Sequence, residues 1–174
     1  MKILLVFAFV LSLVSCQNRN EDFNGENVYK NDFESQFGWG DNQQLIQENP
    51  HSGKFCSKLS PEFPYSATFR KSFNELGVKK PKKIKVSAWF RFPVLDSDAN
   101  LVVAIDSTEG KTPFFWFGIP AEDFIYEKNK WFKVNADVDL PNNINGNYKL
   151  VIYAWSSCHN SIIVDDISFQ LIDQ

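Results

Sequence analysis

The residues best suited to chemistry here are aromatic, and they sit beside polar partners at alternating positions. In residues 83–92, Ile84, Val86, Ala88, Phe90 and Phe92 share one parity, while Lys85, Ser87, Trp89 and Arg91 share the other. That alternation marks a β-strand with one face in a core, so the opposite face carries Trp89 beside Arg91. Residues 148–155 repeat the arrangement, with Leu150, Ile152 and Ala154 set against Val151, Tyr153 and Trp155. Both faces are apolar there, which predicts a strand in the middle of a sheet. Trp116 lies within Phe114-Phe115-Trp116-Phe117, where parity does not assign the inward face. An indole or phenol combines an apolar face with a polar tip, and a group of such rings left exposed marks a binding surface. With 17 Phe and 5 Trp in the chain, three readings stay open for these rings: a ligand groove, burial in a core or under a covering loop, and a protein interface.

Other reactive groups are sparse, since the chain has only 2 His and 3 Cys. His51 precedes Ser52-Gly53 and reads as a turn residue capping local backbone; His159 lies in the loop of residues 156–161. No acidic or thiol cluster at ligand spacing surrounds either, so a zinc centre is not expected. A Cys158-His159 dyad lacks the third group that would orient the base. Cys56 and Cys158 leave a disulfide open. Its loop of about 100 residues would add about 4–5 kcal/mol in the chain-entropy model, but two separate thiols are the stronger reading. Hydrolysis by paired carboxylates needs two acids about 5–9.5 Å apart. Asp137 and Asp139 alternate but run into Leu140-Pro141, and no Glu-x-Asp-x-Glu run occurs; no enzymatic activity is expected. Lys79-Lys80-Pro81-Lys82-Lys83 is the one charge run. It reads as a solvated loop guarding the following strand against edge pairing. Trp39, after Gly38, is expected to pack under a sheet edge, and Trp131 is expected in the core.

The elements that position these residues follow from the whole chain. Its 174 residues suit one domain. A composition 44% hydrophobic and 22% charged excludes disorder over most of its length. A net charge of -3 gives no pull on phosphates, so no nucleic-acid partner is expected. From residue 31 onward, short alternating or aromatic runs are separated by Gly, Pro, Asn and Asp. They predict ten strands, at 31–34, 44–48, 54–59, 66–73, 83–92, 100–106, 114–119, 131–137, 148–155 and 162–172. Residues 121–125 read as one helical turn. The fold class is all-β, a sandwich or barrel.

Residues 1–15 read as a signal peptide. Lys2 supplies the positive start, and residues 3–14 are apolar except for Ser12. That run is too short to span a bilayer, which needs roughly 20 residues. Leu13-Val14-Ser15-Cys16 resembles the bacterial lipobox, which implies lipidation of Cys16 and membrane attachment through the N-terminal lipid. Residues 16–30, rich in Asn, read as a polar tether. Gln17 rather than Asp follows the Cys, favouring an outer-membrane or cell-surface location; Glu21 and Asp22 look somewhat like acidic surface-export signals of Bacteroidetes lipoproteins.

Residues 31–174 resemble a known family through phrases in a fixed order. Asn31-Asp32-Phe33-Glu34 with Gly38-Trp39 comes first, then His51-Ser52-Gly53-Lys54-Phe55-Cys56-Ser57-Lys58-Leu59. Val86-Ser87-Ala88-Trp89-Phe90-Arg91 follows, and Ile163-Val164-Asp165-Asp166-Ile167-Ser168-Phe169 closes the chain. This order is similar to that of jelly-roll carbohydrate-binding modules of families four, nine and twenty-two, with Cys56 departing from the usual small polar residue. The resemblance implies a galactose-binding-like jelly-roll β-sandwich that binds a polysaccharide noncatalytically on one concave sheet, through Trp89, Arg91, Trp116, Tyr153 and Trp155. A structural or adhesive surface lipoprotein without a sugar site stays open beside it. The resemblance also implies a structural calcium held by Glu34, Asp165 and the backbone oxygens of Ser52 and Lys54. Asp165 is in phase with Ile163, Ile167 and Phe169, so it is expected to point inward, where a cation would offset its charge. The alternative is that it accepts amides of Ser52-Gly53 or pairs with Lys54. Asp166 is expected to be solvated.

Overall fold

The computed structural model describes residues 23, 28–35, 38–40, 44–78, 81–108, 112–157 and 159–172. The signal peptide, Cys16, Lys79, Lys80 and Cys158 lie outside the described residues. Among the described residues ten strands form, close to the ten expected: β1 (Val28–Asn31), β2 (Gln44–Ile46), β3 (Cys56–Leu59), β4 (Phe69–Ser72), β5 (Lys83–Arg91), β6 (Asn100–Asp106), β7 (Phe115–Pro120), β8 (Trp131–Asp139), β9 (Lys149–Trp155) and β10 (Ile162–Ile172). The expected helical turn is a 3-10 turn at Glu122–Phe124.

The first strand falls earlier than expected. Asn31 closes it, because its side-chain oxygen accepts the Phe33 amide at 2.9 Å and Phe33 adopts φ 59°. A side-chain bond to the backbone two residues on is a turn, and it stops the ladder. The tether expected through residue 30 therefore ends before Val28, since Val28, Tyr29 and Lys30 pair with β10.

Two antiparallel sheets result. One has the order β2-β3-β10-β5-β8, with β1 also on β10, and the other has the order β4-β9-β6-β7. β5 lies between β10 and β8. It has no open edge for the preceding lysines to guard; Lys83 instead reaches Asp137 and Asp139 across the sheet. β9 is central, as its two apolar faces implied.

Between the sheets lies the core. Ile84, Val86, Ala88, Phe90 and Phe92 enter it from β5 and its end, and Leu101, Val103, Ile105, Leu150, Ile152 and Ala154 face them from the other sheet. Trp39 is buried and bridges to Phe69, its ring edge-on to those of Phe69 and Phe169.

One irregularity resets a face. Asp165 is opposite Trp89 and Ser168 is opposite Ser87, so β10 advances three residues while β5 advances two. The extra residue is a β-bulge, with Asp166 at φ 48°. Directly opposed residues share a face. Asp165 therefore lies with Trp89 on the side away from the core, not inward with Ile167 and Phe169.

Candidate functional site

The outer face of the four-stranded sheet is an open aromatic platform. Strand register places Val151, Ala104 and Trp116 in one cross-strand row, flanked by Arg70 on β4. The next row holds Tyr153, Val102 and Gly118, and the one beyond it Trp155, Asn100 and Pro120. Tyr65 joins the end of that last row through a bridge to Trp155. Val102, Ala104 and Val151 are buried beneath the rings as a small apolar cluster separate from the main core, with Tyr153 and Trp155 packed on it. Trp116 stays 49% exposed and Tyr65 43% exposed.

The rings hold one another in place. Trp116 Nε1 donates to the Tyr153 hydroxyl at 3.4 Å, a long hydrogen bond. Tyr65 meets Tyr153 edge-to-face at 5.6 Å. Burial raises the Tyr153 hydroxyl above the ordinary phenol range, so it stays protonated and keeps a hydrogen for a ligand. Gly118 supplies the space: a Cβ there would lie 2.5 Å from Trp116 Cη2 and 2.9 Å from Asn100 Oδ1. The indole thus lies across the backbone of its own strand.

Trp89 and Arg91 are elsewhere. They lie on the outer face of the six-stranded sheet, where residues 48–51 pack on them beside a cavity of about 400 Å³ that Trp89 also lines. His51 stacks on Trp89 at 3.9 Å and 18°. Arg91 is 5% exposed, donates to the Glu48 carbonyl oxygen at 2.6 Å, and lies 5.4 Å from the Trp131 ring centre. Trp131 is on this face too, not in the core, and its Nε1 donates to the Asn49 carbonyl oxygen at 3.2 Å. The five aromatic and basic candidates are thus split between opposite faces of the sandwich. Only Trp116, Tyr153 and Trp155 come together.

Carboxylates pin this segment. Asp165 Oδ2 accepts the amides of His51 at 2.8 Å and Ser52 at 3.1 Å, and its Oδ1 accepts the Asp166 amide at 2.8 Å. Asp166 is buried rather than solvated: it meets His51 Nδ1 at 2.6 Å, Ser52 Oγ at 2.9 Å and Lys30 Nζ at 3.3 Å. Glu34 Oε1 accepts the amides of Lys54 and Phe55 at 2.6 and 2.8 Å. His51 therefore caps no local turn but grips the last strand. Cys56 is a free, buried thiol whose burial pushes it up to about 11, so it is unreactive.

Comparison by sequence finds no matching family model and no matching curated protein. Solved structures do match. The CBM22-1 xylan-binding domain from Paenibacillus barcinonensis Xyn10C superposes with a TM-score of 0.56 at 15% identity, over 84% of this chain and 94% of that one. The tandem CBM22-1-CBM22-2 domain from the same protein gives 0.59 at 16% identity, over 83% of this chain and 50% of that one. A family 16 carbohydrate-binding module-2 gives 0.51 at 15% identity, over 79% and 92%. The fold is that of the jelly-roll carbohydrate-binding modules.

The calcium implied by the resemblance would draw on Glu34, Asp165 and the carbonyl oxygens of Ser52 and Lys54, and some of those carboxylate oxygens already accept backbone amides. Glu34 Oε1 and Asp165 Oδ2 accept amide hydrogens of the 51–55 turn, among them those of Ser52 and Lys54. Calcium seeks six to eight oxygens. Among the described residues no group of three or more His, Cys, Asp or Glu side chains converges to hold a metal. These residues form a carboxylate-to-amide clamp. Melting temperatures in excess calcium and in excess chelator are expected to coincide; a rise in calcium would show that the clamp rearranges around a cation.

Tyr65, Asn100 and Gly118 are site residues that sequence reasoning passed over. Tyr65 lies one residue before an expected strand and joins the sheet only by an isolated bridge, which no periodicity announces. Gly118 interrupts an aromatic run and was legible as a point of close approach.

Proposed function

We propose that this chain is a noncatalytic glycan-binding module that holds a polysaccharide on the outer face of its four-stranded sheet. The observation that carries this reading is the open platform of Trp116, Tyr153, Trp155 and Tyr65. Their rings offer apolar faces to sugar C–H surfaces, while the Tyr153 hydroxyl and Asn100 offer hydrogen bonds to sugar hydroxyls. The outer positions of the four strands carry one carboxylate, Asp106, and Arg70 neutralises it. Glycoside cleavage needs two, which supports binding without turnover. Two of the similar structures are xylan-binding domains, which makes xylan the first chain to test. We place the module outside the cytoplasm, attached to an outer membrane or cell surface through lipidated Cys16.

Direct titration of soluble xylan tests the reading, and saturable binding is expected. Gly118→Val gives a control that removes no ring. The added side chain displaces the Trp116 indole, and binding is expected to weaken about tenfold, or roughly 1.4 kcal/mol. Unchanged affinity in that variant would show that the indole's resting place is irrelevant to the ligand.

A further inference from the structure

Beyond the ring platform, the same sheet face ends in a polar pocket of about 380 Å³. Arg70, Asp106, Thr108, Thr112, Asn147 and Lys149 line it. It is continuous with the platform: Arg70 is opposite Val151, and Lys149 is opposite Asp106, one row beyond Ala104 and Trp116. Passing along β9 from Trp155 through Tyr153 and Val151 to Lys149, the face changes from aromatic to charged. The rise of about 3.4 Å per residue makes that path about 20 Å long, room for several linked sugars.

We infer that this pocket is a charged subsite of the glycan platform and takes a carboxylate borne by the polysaccharide, such as a uronic acid side group. This deepens, and rests on, the platform reading. Among the described residues, the lining carries two cations, Arg70 and Lys149, against one carboxylate, Asp106. Arg70 is already paired with Asp106, its side chain still half exposed. A guanidinium keeps donors for a second acceptor when one carboxylate holds part of its fork. Lys149 is exposed at the rim. Glu75, close to Lys149, has one carboxylate oxygen engaged by the backbone amide and hydroxyl of Ser72. The threonine hydroxyls and Asn147 supply neutral partners for sugar hydroxyls. A neutral chain would satisfy the rings and leave the two cations without an added partner. A chain with a carboxylate placed a few sugars from the stacked unit would engage both.

The test compares xylohexaose with a xylo-oligosaccharide of the same length carrying one glucuronate, by calorimetric titration at low and high salt. The acidic chain is expected to bind about tenfold tighter at low salt, with the preference shrinking as salt screens it. Lys149→Ala, at an exposed position, is expected to remove most of the preference and leave xylohexaose affinity unchanged. Arg70→Ala provides a second variant with the same expected loss. Equal affinity for the two chains, or a preference that survives in both variants, would overturn the charged subsite while leaving the platform standing. Binding of neither chain would overturn the platform reading, and this inference with it.

Discussion

Replacing Trp116 by Ala is expected to weaken xylan binding about 30-fold, or about 2 kcal/mol, while leaving the fold intact. Losses of that size are typical of an aromatic anchor at the centre of a contact. Trp116 is about half exposed and packs on small residues of its own sheet, so its removal opens no cavity in the main core. Surface substitutions of this kind change stability by about 0.5 kcal/mol or less. Tyr153→Phe is expected to have a smaller effect, because the ring stays and only the hydroxyl that anchors Trp116 Nε1 is lost. Trp89→Ala should behave in the opposite manner. It removes the surface on which His51 stacks, so it lowers the melting temperature and leaves affinity unchanged. Titration and thermal melting of the three variants check this. Loss of binding in Trp89→Ala with retention in Trp116→Ala would move the site to the other sheet.

Asp165→Asn is expected to produce the largest stability loss. Both carboxylate oxygens accept backbone amides, so either orientation of the amide side chain sets an NH2 group against an N–H. A buried, unmatched donor costs about 1–3 kcal/mol, and two are created. A loss of about 3 kcal/mol would lower the melting temperature by roughly 6–12 °C in a chain of this size.

The same group gives a pH signature. Burial outweighs the three amides and raises Asp165 from 3.8 to about 6. The folded state therefore holds a proton between about pH 4 and 6 that the unfolded chain has released, and stability rises as pH falls from 7 through that window. Asp166 behaves oppositely. Burial pushes it up, but His51, Ser52 and Lys30 together hold it below its ordinary value of 3.8. Its contribution is lost only at lower pH. Urea midpoints at pH 7, 5 and 3 are expected to peak near pH 5, and Asp165→Asn should abolish the rise between 7 and 5. A rise that persists in the variant would assign it to another group.

Where the pattern in the chain was regular, the structure could be read from it. The alternation in residues 83–92 placed five side chains in the core, and the two apolar faces of residues 148–155 placed that strand centrally, both as found. What parity does not carry is which outer face remains open. Trp89 and Tyr153 have the same local pattern, yet His51, distant from both in sequence, stacks only on the first. Parity also fails across a bulge. A single extra residue at Asp166 turned Asp165 to the outer face, and it was satisfied there by amides over a hundred residues away. A long-range contact of that kind leaves no periodic trace in the sequence. Of the two cysteines that left a disulfide open, Cys56 is a buried free thiol and Cys158 lies outside the described residues.

The claim that the four-stranded sheet carries the site is tested most directly by the indole N–H resonances during titration with xylohexaose. The five tryptophans report on three environments: Trp39 in the core, Trp89 and Trp131 against residues 48–51, and Trp116 and Trp155 on the platform. Saturable shifts of Trp116 and Trp155, with Trp39, Trp89 and Trp131 unmoved, are the expected result. Shifts confined to Trp89 and Trp131 would contradict it and place the ligand on the opposite face of the sandwich.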